Sequence, residues 1–459
     1  MSSRRRRRNR LPAEAITLDV SAMSHEGRGI GHIDGKVAFV DGALEGETVS
    51  ALYVRNRSQF SELKVEEVVS PSASRVNPPC EFTPICGGCS LQHWDTDRQL
   101  DFKESVLLEH LQRTTNLAAD SFQLLPQIKA NTTHYRRKAR LAVRKVVKKG
   151  GVLVGFREKY SSFITDMNDC QVLAQEFARL IQPLRDFLIG LKANSDIPQI
   201  EVAVGEKTRE SMEELQVALV IRHLKALCED DKELICEFAE SENIDVYLQP
   251  AGIDSVFKLY PTESAERLHY FLPEFDLCVS FHPMDFTQVN AEINRSIVSR
   301  AVSMLNLTDE DVVLDLFCGL GNFTLPIAKH CQAVVGIEGS EEMVKRGQEN
   351  AEHNGIDNAE FFAADLTANI DAKAWLKQPF TKILLDPPRS GALEIISQIA
   401  KLGANKILYI SCNPATLARD AAELIARGYK LNSVGVMDMF PHTTHVESMA
   451  EFILESKEL

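Results

Sequence analysis

Three residues late in the chain have the types and spacing of a reaction centre. Cys412, in Tyr409-Ile410-Ser411-Cys412-Asn413-Pro414, follows Ile407-Leu408-Tyr409-Ile410, an apolar run that reads as a buried strand. A thiol at a strand's carboxyl end is presented to the crevice where open α/β sheets bind ligands. Asp386 stands in Ile383-Leu384-Leu385-Asp386-Pro387-Pro388-Arg389-Ser390-Gly391, where two prolines make a rigid extended lip and fix the acid at a point of substrate entry. Glu447, in His445-Val446-Glu447-Ser448, is a candidate base, although a carboxylate at a strand start is more often merely solvated.

A cofactor pocket opposite this nucleophile is suggested upstream. Val312-Val313-Leu314-Asp315-Leu316 runs into Phe317-Cys318-Gly319-Leu320-Gly321-Asn322-Phe323, and Glu338 closes the next strand, Val334-Val335-Gly336-Ile337. A lone Gly-x-Gly is weak evidence, because tight strand-to-helix turns use glycine for steric reasons. The third glycine of the dinucleotide fingerprint is absent, so a nucleoside cofactor smaller than NAD fits better, with Glu338 placed to accept from both ribose hydroxyls. Asp365, after a third strand, lies where adenine edges are commonly met; a helix N-cap is the competing reading.

These residues need a doubly wound parallel sheet, and from about residue 290 helix and strand patterns alternate as such a sheet requires. Residues 271–459 are therefore expected to form a Rossmann-like catalytic domain. Before it, residues 11–70 hold short β-like runs (Ala15–Val20, Val37–Val40, Glu47–Val54) punctuated by glycines 27, 29, 31, 35, 42 and 46, the pattern of a small OB-like β-barrel. Residues 71–270 form an α+β central region, of which 94–125 is a candidate to pack on the catalytic domain. Residues 1–10 are a basic arm, Arg4 to Arg8 and Arg10, with no apolar segment after it to make a signal peptide. No apolar run approaches the roughly 20 residues that span a bilayer, so a cytoplasmic protein without membrane partners is expected.

Charge and cysteine usage limit the class further. The 459 residues carry a net charge of −14, which argues against wholesale nucleic-acid binding. The segment from His134 to Lys159 is the exception, with ten Lys or Arg against Glu158 alone; a phosphate-binding strip and a solvated edge are the two readings. Glu229 to Asp245 reads as an acidic solvated face. Ten cysteines in so long a chain fit thiols, metal ligands or catalysis rather than a disulfide framework. Cys80, Cys86 and Cys89 have the form C-x5-C-x2-C with Gly87-Gly88 between, and by spacing alone zinc and an iron–sulfur cluster are equally admissible.

The order Asp315–Phe323, Asp386–Gly391, Cys412 and Asp438–Ser448 resembles the RNA uracil-C5 methyltransferases that use S-adenosylmethionine. The resemblance covers essentially the whole chain. It implies that the N-terminal barrel is a TRAM domain and that Gln288 (in Phe286-Thr287-Gln288-Val289-Asn290), Phe317, Asn322, Glu338, Asp365 and Asp386 bind the cofactor. It makes Cys412 the nucleophile and Glu447 the base. It also favours a [4Fe-4S] cluster on Cys80, Cys86, Cys89 and Cys170, and the cluster together with the barrel points to the branch acting on 23S rRNA, in a protein-poor or early assembly state, as a monomer.

The residue types suit that chemistry. Uracil C5 is too poor a nucleophile to take a methyl group directly. Thiolate addition at C6 gives C5 enolate character, and a base must then remove the C5 proton so the thiolate can leave. A thiol with a reference pKa of about 8.5 needs local activation, whose source the sequence does not identify. A NAD-dependent oxidoreductase fits Glu338 but not the missing glycine or Cys412. A non-catalytic RNA-binding protein leaves Asp386, Cys412 and Glu447 without a role. A paralogue acting on tRNA or another ribosomal site is the nearest rival.

Overall fold

The computed structural model describes residues 11–455 except 119, 150, 213 and 369–372, so the arginine arm lies outside the described residues. The chain divides into two compact units. One holds residues up to 101 with 157–163 and 442–444; the other holds 102–156, 164–441 and the chain from 445 onward.

In the first unit six strands form one sheet in the order Ile16–Asp19, Thr48–Asn56, Phe60–Ser70, Lys36–Asp41, Gly29–Ile33, Ala22–Met23. Every second residue faces a core of Leu18, Val20, Ile33, Ala38, Val40, Val49, Ala51 and Leu63, the period of a half-buried strand. Gly27, Gly35, Gly42 and Gly46 occupy left-handed turns. Gly29 and Gly31 do not: both lie within a strand, where a Cβ would come 2.7 Å from Val20 Cγ1 or 2.6 Å from the Asp19 carbonyl. Close strand approach, not turning, explains these two glycines. Buried Glu47 ties the following segment to the sheet by accepting from Ser72 N (3.1 Å) and pairing with Arg75 (2.5 Å).

The second unit contains two larger sheets. One is ordered Phe257–Tyr260, Asp245–Gln249, Leu215–Arg222, Gln199–Glu206, Lys138–Val146, Gly151–Gly155. Its parallel pair, Leu215–Arg222 with Asp245–Gln249, is joined through the helix Glu229–Glu242. Acids in that helix's first turn suit its positive end, but Asp231 is not solvated: it is buried and accepts from Lys192 N (2.8 Å) and Ala193 N (3.0 Å).

The other sheet has eight strands: β1 Gln123–Leu124, β2 Val312–Leu316, β3 Ala333–Glu338, β4 Ala359–Ala363, β5 Lys382–Leu385, β6 Lys406–Ser411, β7 Tyr429–Met437 and β8 Glu447–Leu454. Their order is β4-β3-β2-β5-β6-β8-β7-β1. β2 to β6 are parallel; β2, β3, β5 and β6 are buried on both faces and rich in Val, Ile and Leu, as strands covered by helices must be, whereas the edge strand β4 is only partly buried. The chain steps outward from β2 to β3 and β4, then returns to β5 on the other side of β2. That reversal is the switch point at which such sheets bind ligands. β8 runs antiparallel to β6 in the register Ser411↔Ser448, which brings the start of β8 to the carboxyl edge of the parallel strands. Among the described residues no helix is long and apolar enough to cross a membrane.

Candidate active site

The carboxyl edge of the parallel strands carries all but one of the predicted binding and reacting residues. After β2 the chain enters three left-handed conformations within five residues: Phe317 (φ 66°), Gly319 (φ 56°) and Gly321 (φ 96°). For a bulky residue such as Phe317 this costs about 1–3 kcal/mol and persists only where surroundings impose it. Here the amides of Phe317 and Cys318 both donate to the Ile337 carbonyl, at 2.8 and 3.1 Å, binding the turn to β3. Glu338 completes the arrangement. Its Oε2 accepts from Gly319 N (3.1 Å), and its Oε1 from Gly339 N (2.7 Å) and Ser340 N (3.2 Å).

Asn322 is held by a reciprocal amide pair with Asn294 (2.9 and 3.0 Å) and by the Tyr270 hydroxyl (2.9 Å). Gln288, the residue away from the strand edge, lines a small cavity with Arg137, Tyr270, Phe271, Asn294 and Arg295. Asp365 is not a helix N-cap. Its exposed carboxylate accepts from Thr367 N (2.9 Å) and Thr367 Oγ1 (2.7 Å), a local Asx turn that keeps its acidity below the ordinary range.

Beyond the switch point the surroundings change. Half-buried Asp386 finds no donor for its carboxyl among the described residues, and burial pushes it up to about 7. Cys412 follows β6, and the β6–β8 register brings it opposite Glu447. Burial, then the Glu447 and Asp386 carboxylates, push the Cys412 thiol up to about 11, against the pull of Arg389. Burial and Asp386 likewise push Glu447 up to about 8, opposed by Arg389 and Lys103. Two acids and a thiol thus crowd one edge, where Asp386 disfavours ionisation of both Glu447 and Cys412, and Glu447 that of Cys412. Arg389 contacts the ring of His445, which burial and the nearby cations keep neutral, down to about 4.

The two loops that carry Asp386 and Cys412 are tied together. Asn413, the cap of the helix Pro414–Ala426, accepts from Ala415 N (3.1 Å) and donates to the Arg389 carbonyl (3.0 Å). Buried Asp420 accepts from Ala392 N and from Tyr409 OH, both at 2.7 Å. Gly391 (φ 81°) passes so close that a Cβ would come 2.6 Å from Asp420 Oδ2. Sequence reasoning missed Asp420, yet a carboxylate among Leu417, Ala418, Ala421 and Leu424 on one apolar helix face was a readable signal. It also missed Lys103, which is fully buried against Asp438 at 2.6 Å and which no sequence pattern singles out.

The remaining candidates lie elsewhere. Cys80, Cys86 and Cys89 are in the first unit, where Gly88 N donates to Cys86 Sγ (3.4 Å) and Gly87 N to the Arg157 carbonyl (2.8 Å). Cys170 is buried in the second unit. No group of three or more Cys, His, Asp or Glu is assembled around a metal position among the described residues. In the basic segment, Arg137 pairs with buried Glu206 (2.5 Å), Lys138 donates to the Asp285 carbonyl, and Arg140 pairs with Glu201 (2.9 Å). Arg137 and Lys138 are engaged internally; Arg140, although paired, is exposed, as are Arg144, Lys145, Lys148 and Arg157.

Comparison with known proteins follows the same division. Residues 274–455 match the family model described as tRNA (Uracil-5-)-methyltransferase, and residues 10–61 match the TRAM domain. Over 452 residues the chain is 50% identical to the 23S rRNA (uracil(1939)-C(5))-methyltransferase of Hahella chejuensis, covering 97% of this chain and 99% of that one. The protein of the same description from Alcanivorax borkumensis is 47% identical over 447 residues, covering 97% and 98%. The fold is shared with the Pyrococcus abyssi tRNA (uracil-54, C5)-methyltransferase crystallised with S-adenosyl-L-homocysteine, at a TM-score of 0.70, 23% identity, and coverage of 95% of this chain and 100% of that one.

Proposed function

The chain belongs to the family of 23S rRNA (uracil(1939)-C(5))-methyltransferases, and from that premise we propose how its residues carry out S-adenosylmethionine-dependent methylation of a uracil C5 in 23S rRNA. The observation that carries the reading is the register Ser411↔Ser448, which sets a thiol beside a carboxylate at the ligand-binding edge of the sheet.

When bound, S-adenosylmethionine supplies a cationic sulfonium and a transferable methyl group. Glu338 and the Phe317–Asn322 turn hold the nucleoside part, with Asp365, Gln288 and Asp386 as further contacts. The Cys412 thiolate adds to uracil C6, and the C5=C6 electron pair becomes the enolate nucleophile that takes the methyl at C5, the broken S–CH3 bond leaving its electron pair on a neutral thioether. Glu447 then accepts the C5 proton, the C5=C6 bond re-forms, and Cys412 leaves as thiolate. Burial, then the Glu447 and Asp386 carboxylates, holds the thiol protonated, so positive charge brought to this edge would favour the thiolate. The target base must leave its stack to reach Cys412, so a flipped or single-stranded uridine is required.

Residues 11–70 are read as the TRAM barrel and 71–270 as an RNA-binding region carrying a [4Fe-4S] cluster on Cys80, Cys86 and Cys89, with Cys170 as the fourth ligand by family resemblance. The thiolate donor set and the Gly88 amide directed at Cys86 Sγ support that assignment, since hydrogen bonds to sulfur accompany such clusters. The cluster would supply a cross-link among these cysteines. A monomeric cytoplasmic enzyme meeting protein-poor rRNA completes the reading.

Labelled methyl transfer to 23S rRNA and to tRNA transcripts tests it. One 5-methyluridine in 23S rRNA and none in tRNA is the expected result; product in tRNA alone overturns the ribosomal assignment.

A further inference from the structure

Lys103, in the helix Thr96–Thr115, has no exposed side-chain surface. Its ammonium lies 2.6 Å from Asp438 Oδ1, itself buried, and donates to the Phe440 carbonyl at 3.0 Å. A buried ion pair contributes little net stability compared with well-packed apolar side chains of similar volume, so folding alone gives a weak reason for it. Its place in the sheet gives a better one. Asp438 directly follows Met437, and Met437 is the cross-strand partner of Glu447. The same stretch is fastened twice more: Asp438 N donates to the Ile128 carbonyl (2.9 Å), and Tyr135 OH to the Pro441 carbonyl (3.1 Å).

Resting on the reading of Glu447 as the base, we propose that Lys103 is a positioning residue for the deprotonation step: its ammonium, anchored on Asp438 and the Phe440 carbonyl, fixes the backbone opposite Glu447 and faces that carboxylate with a buried positive charge. Among the described residues, the charged or titratable groups that interact electrostatically with Glu447 are Asp386 and Arg389 from the loop after β5, Cys412 after β6, and Lys103 from the helix. His445, two residues before Glu447, is neutral and adds no charge. Arg389 is exposed and water screens it, whereas Lys103 is enclosed and acts at low local dielectric. Burial lowers the Lys103 proton affinity, and the charge and hydrogen bond of Asp438 oppose that lowering.

The test is the decay of the covalent protein–RNA adduct after a single methyl transfer, followed on denaturing gels across pH. Lys103→Met combined with Asp438→Leu removes both charges without stranding either. This double variant is expected to fold, to bind S-adenosylmethionine as the unaltered protein does, and to methylate. Its adduct should decay about tenfold more slowly at neutral pH, with the midpoint of the pH profile about one unit higher, because the base ionises less readily. Asp438→Asn is the second variant: it strands Lys103, which then releases its proton, and should move the midpoint in the same direction. A folded variant of either kind whose decay rate and midpoint match the unaltered protein overturns the proposal. Absence of any adduct in the unaltered protein would instead overturn the covalent reading beneath it.

Discussion

On one side of the switch point, Glu338 accepts from three backbone amides and Asn322 is locked into a reciprocal amide pair. On the other, Asp386 has no donor among the described residues and Asp386, Cys412 and Glu447 are all pushed away from their charged forms. The first half is wired in advance, as suits groups that only hold a ligand. In the second half burial brings Asp386 and Glu447 close to neutral pH, as the proton exchange proposed for Glu447 requires, while the Cys412 thiol lies well above it. Glu338 and Asn322, proposed to hold the cofactor, and Cys412 and Glu447, proposed to react, share one sheet edge yet differ in how many of their hydrogen bonds are already satisfied.

The largest effect should come from the unsatisfied half. Cys412→Ala is expected to lower methyl transfer by at least about 10³-fold, as loss of a nucleophile does, and to give no adduct with RNA carrying 5-fluorouracil at the target. Retained methyl transfer in that variant would reject the nucleophile. Glu447→Gln should separate the steps: methyl reaches C5, but adduct accumulates on ordinary RNA because release slows by about 10²–10⁴-fold without its base. In the unaltered protein, release requires ionised Glu447 and should rise as pH increases through about 8. A release rate flat across that range would place the base elsewhere.

The parallel sheet and the position of the candidate residues at its edge were legible in the sequence because strand ends and motifs coincide. Ile407–Ile410 reads as a strand, and Cys412 therefore falls at its end. Side-chain destinations across long sequence separations were not legible. Arg137 reads as a surface cation beside Arg136 and Lys138, but its partner Glu206 lies 69 residues away and is fully buried. Gly29 and Gly31 read as turns, although their partners, Val20 and Asp19, force them into a strand. Local periodicity reports which way a residue faces, not which residue meets it.

A smaller effect follows from that difference. Arg137→Gln should destabilise the protein by about 3 kcal/mol, since it weakens the compensation of a buried carboxylate, and leave the salt dependence of RNA binding unchanged. Gln at the exposed Arg144 and Lys145 should leave stability unchanged. If these residues touch phosphate, that change lowers the log–log salt slope by about 0.7–0.9 for each phosphate no longer neutralised. Equilibrium unfolding and salt-titrated RNA binding measure the two. A slope change for Arg137→Gln in folded protein would return that residue to the RNA surface.

The smallest effect compares the same substitution on the two halves. Glu447 ionises in the unfolded chain near 4.5 and in the folded protein at about 8, so between those values the folded state holds a proton that the unfolded state has released. Stability therefore falls as pH rises through this window, and the penalty is complete above the folded value. Gln carries no such penalty. Glu447→Gln should match the unaltered protein at about pH 4 and exceed it by about 1–2 kcal/mol at about pH 8.5. Glu338→Gln should do the opposite at that pH. Its new amide group is a donor facing amide donors, which costs about 1–3 kcal/mol because the backbone amides are left without acceptors. Denaturant unfolding of both variants at both pH values measures the contrast. Two substitutions with the same sign at pH 8.5 would mean that the halves are not built differently, and that the carboxylate of Glu447 is satisfied by a donor as Glu338 is.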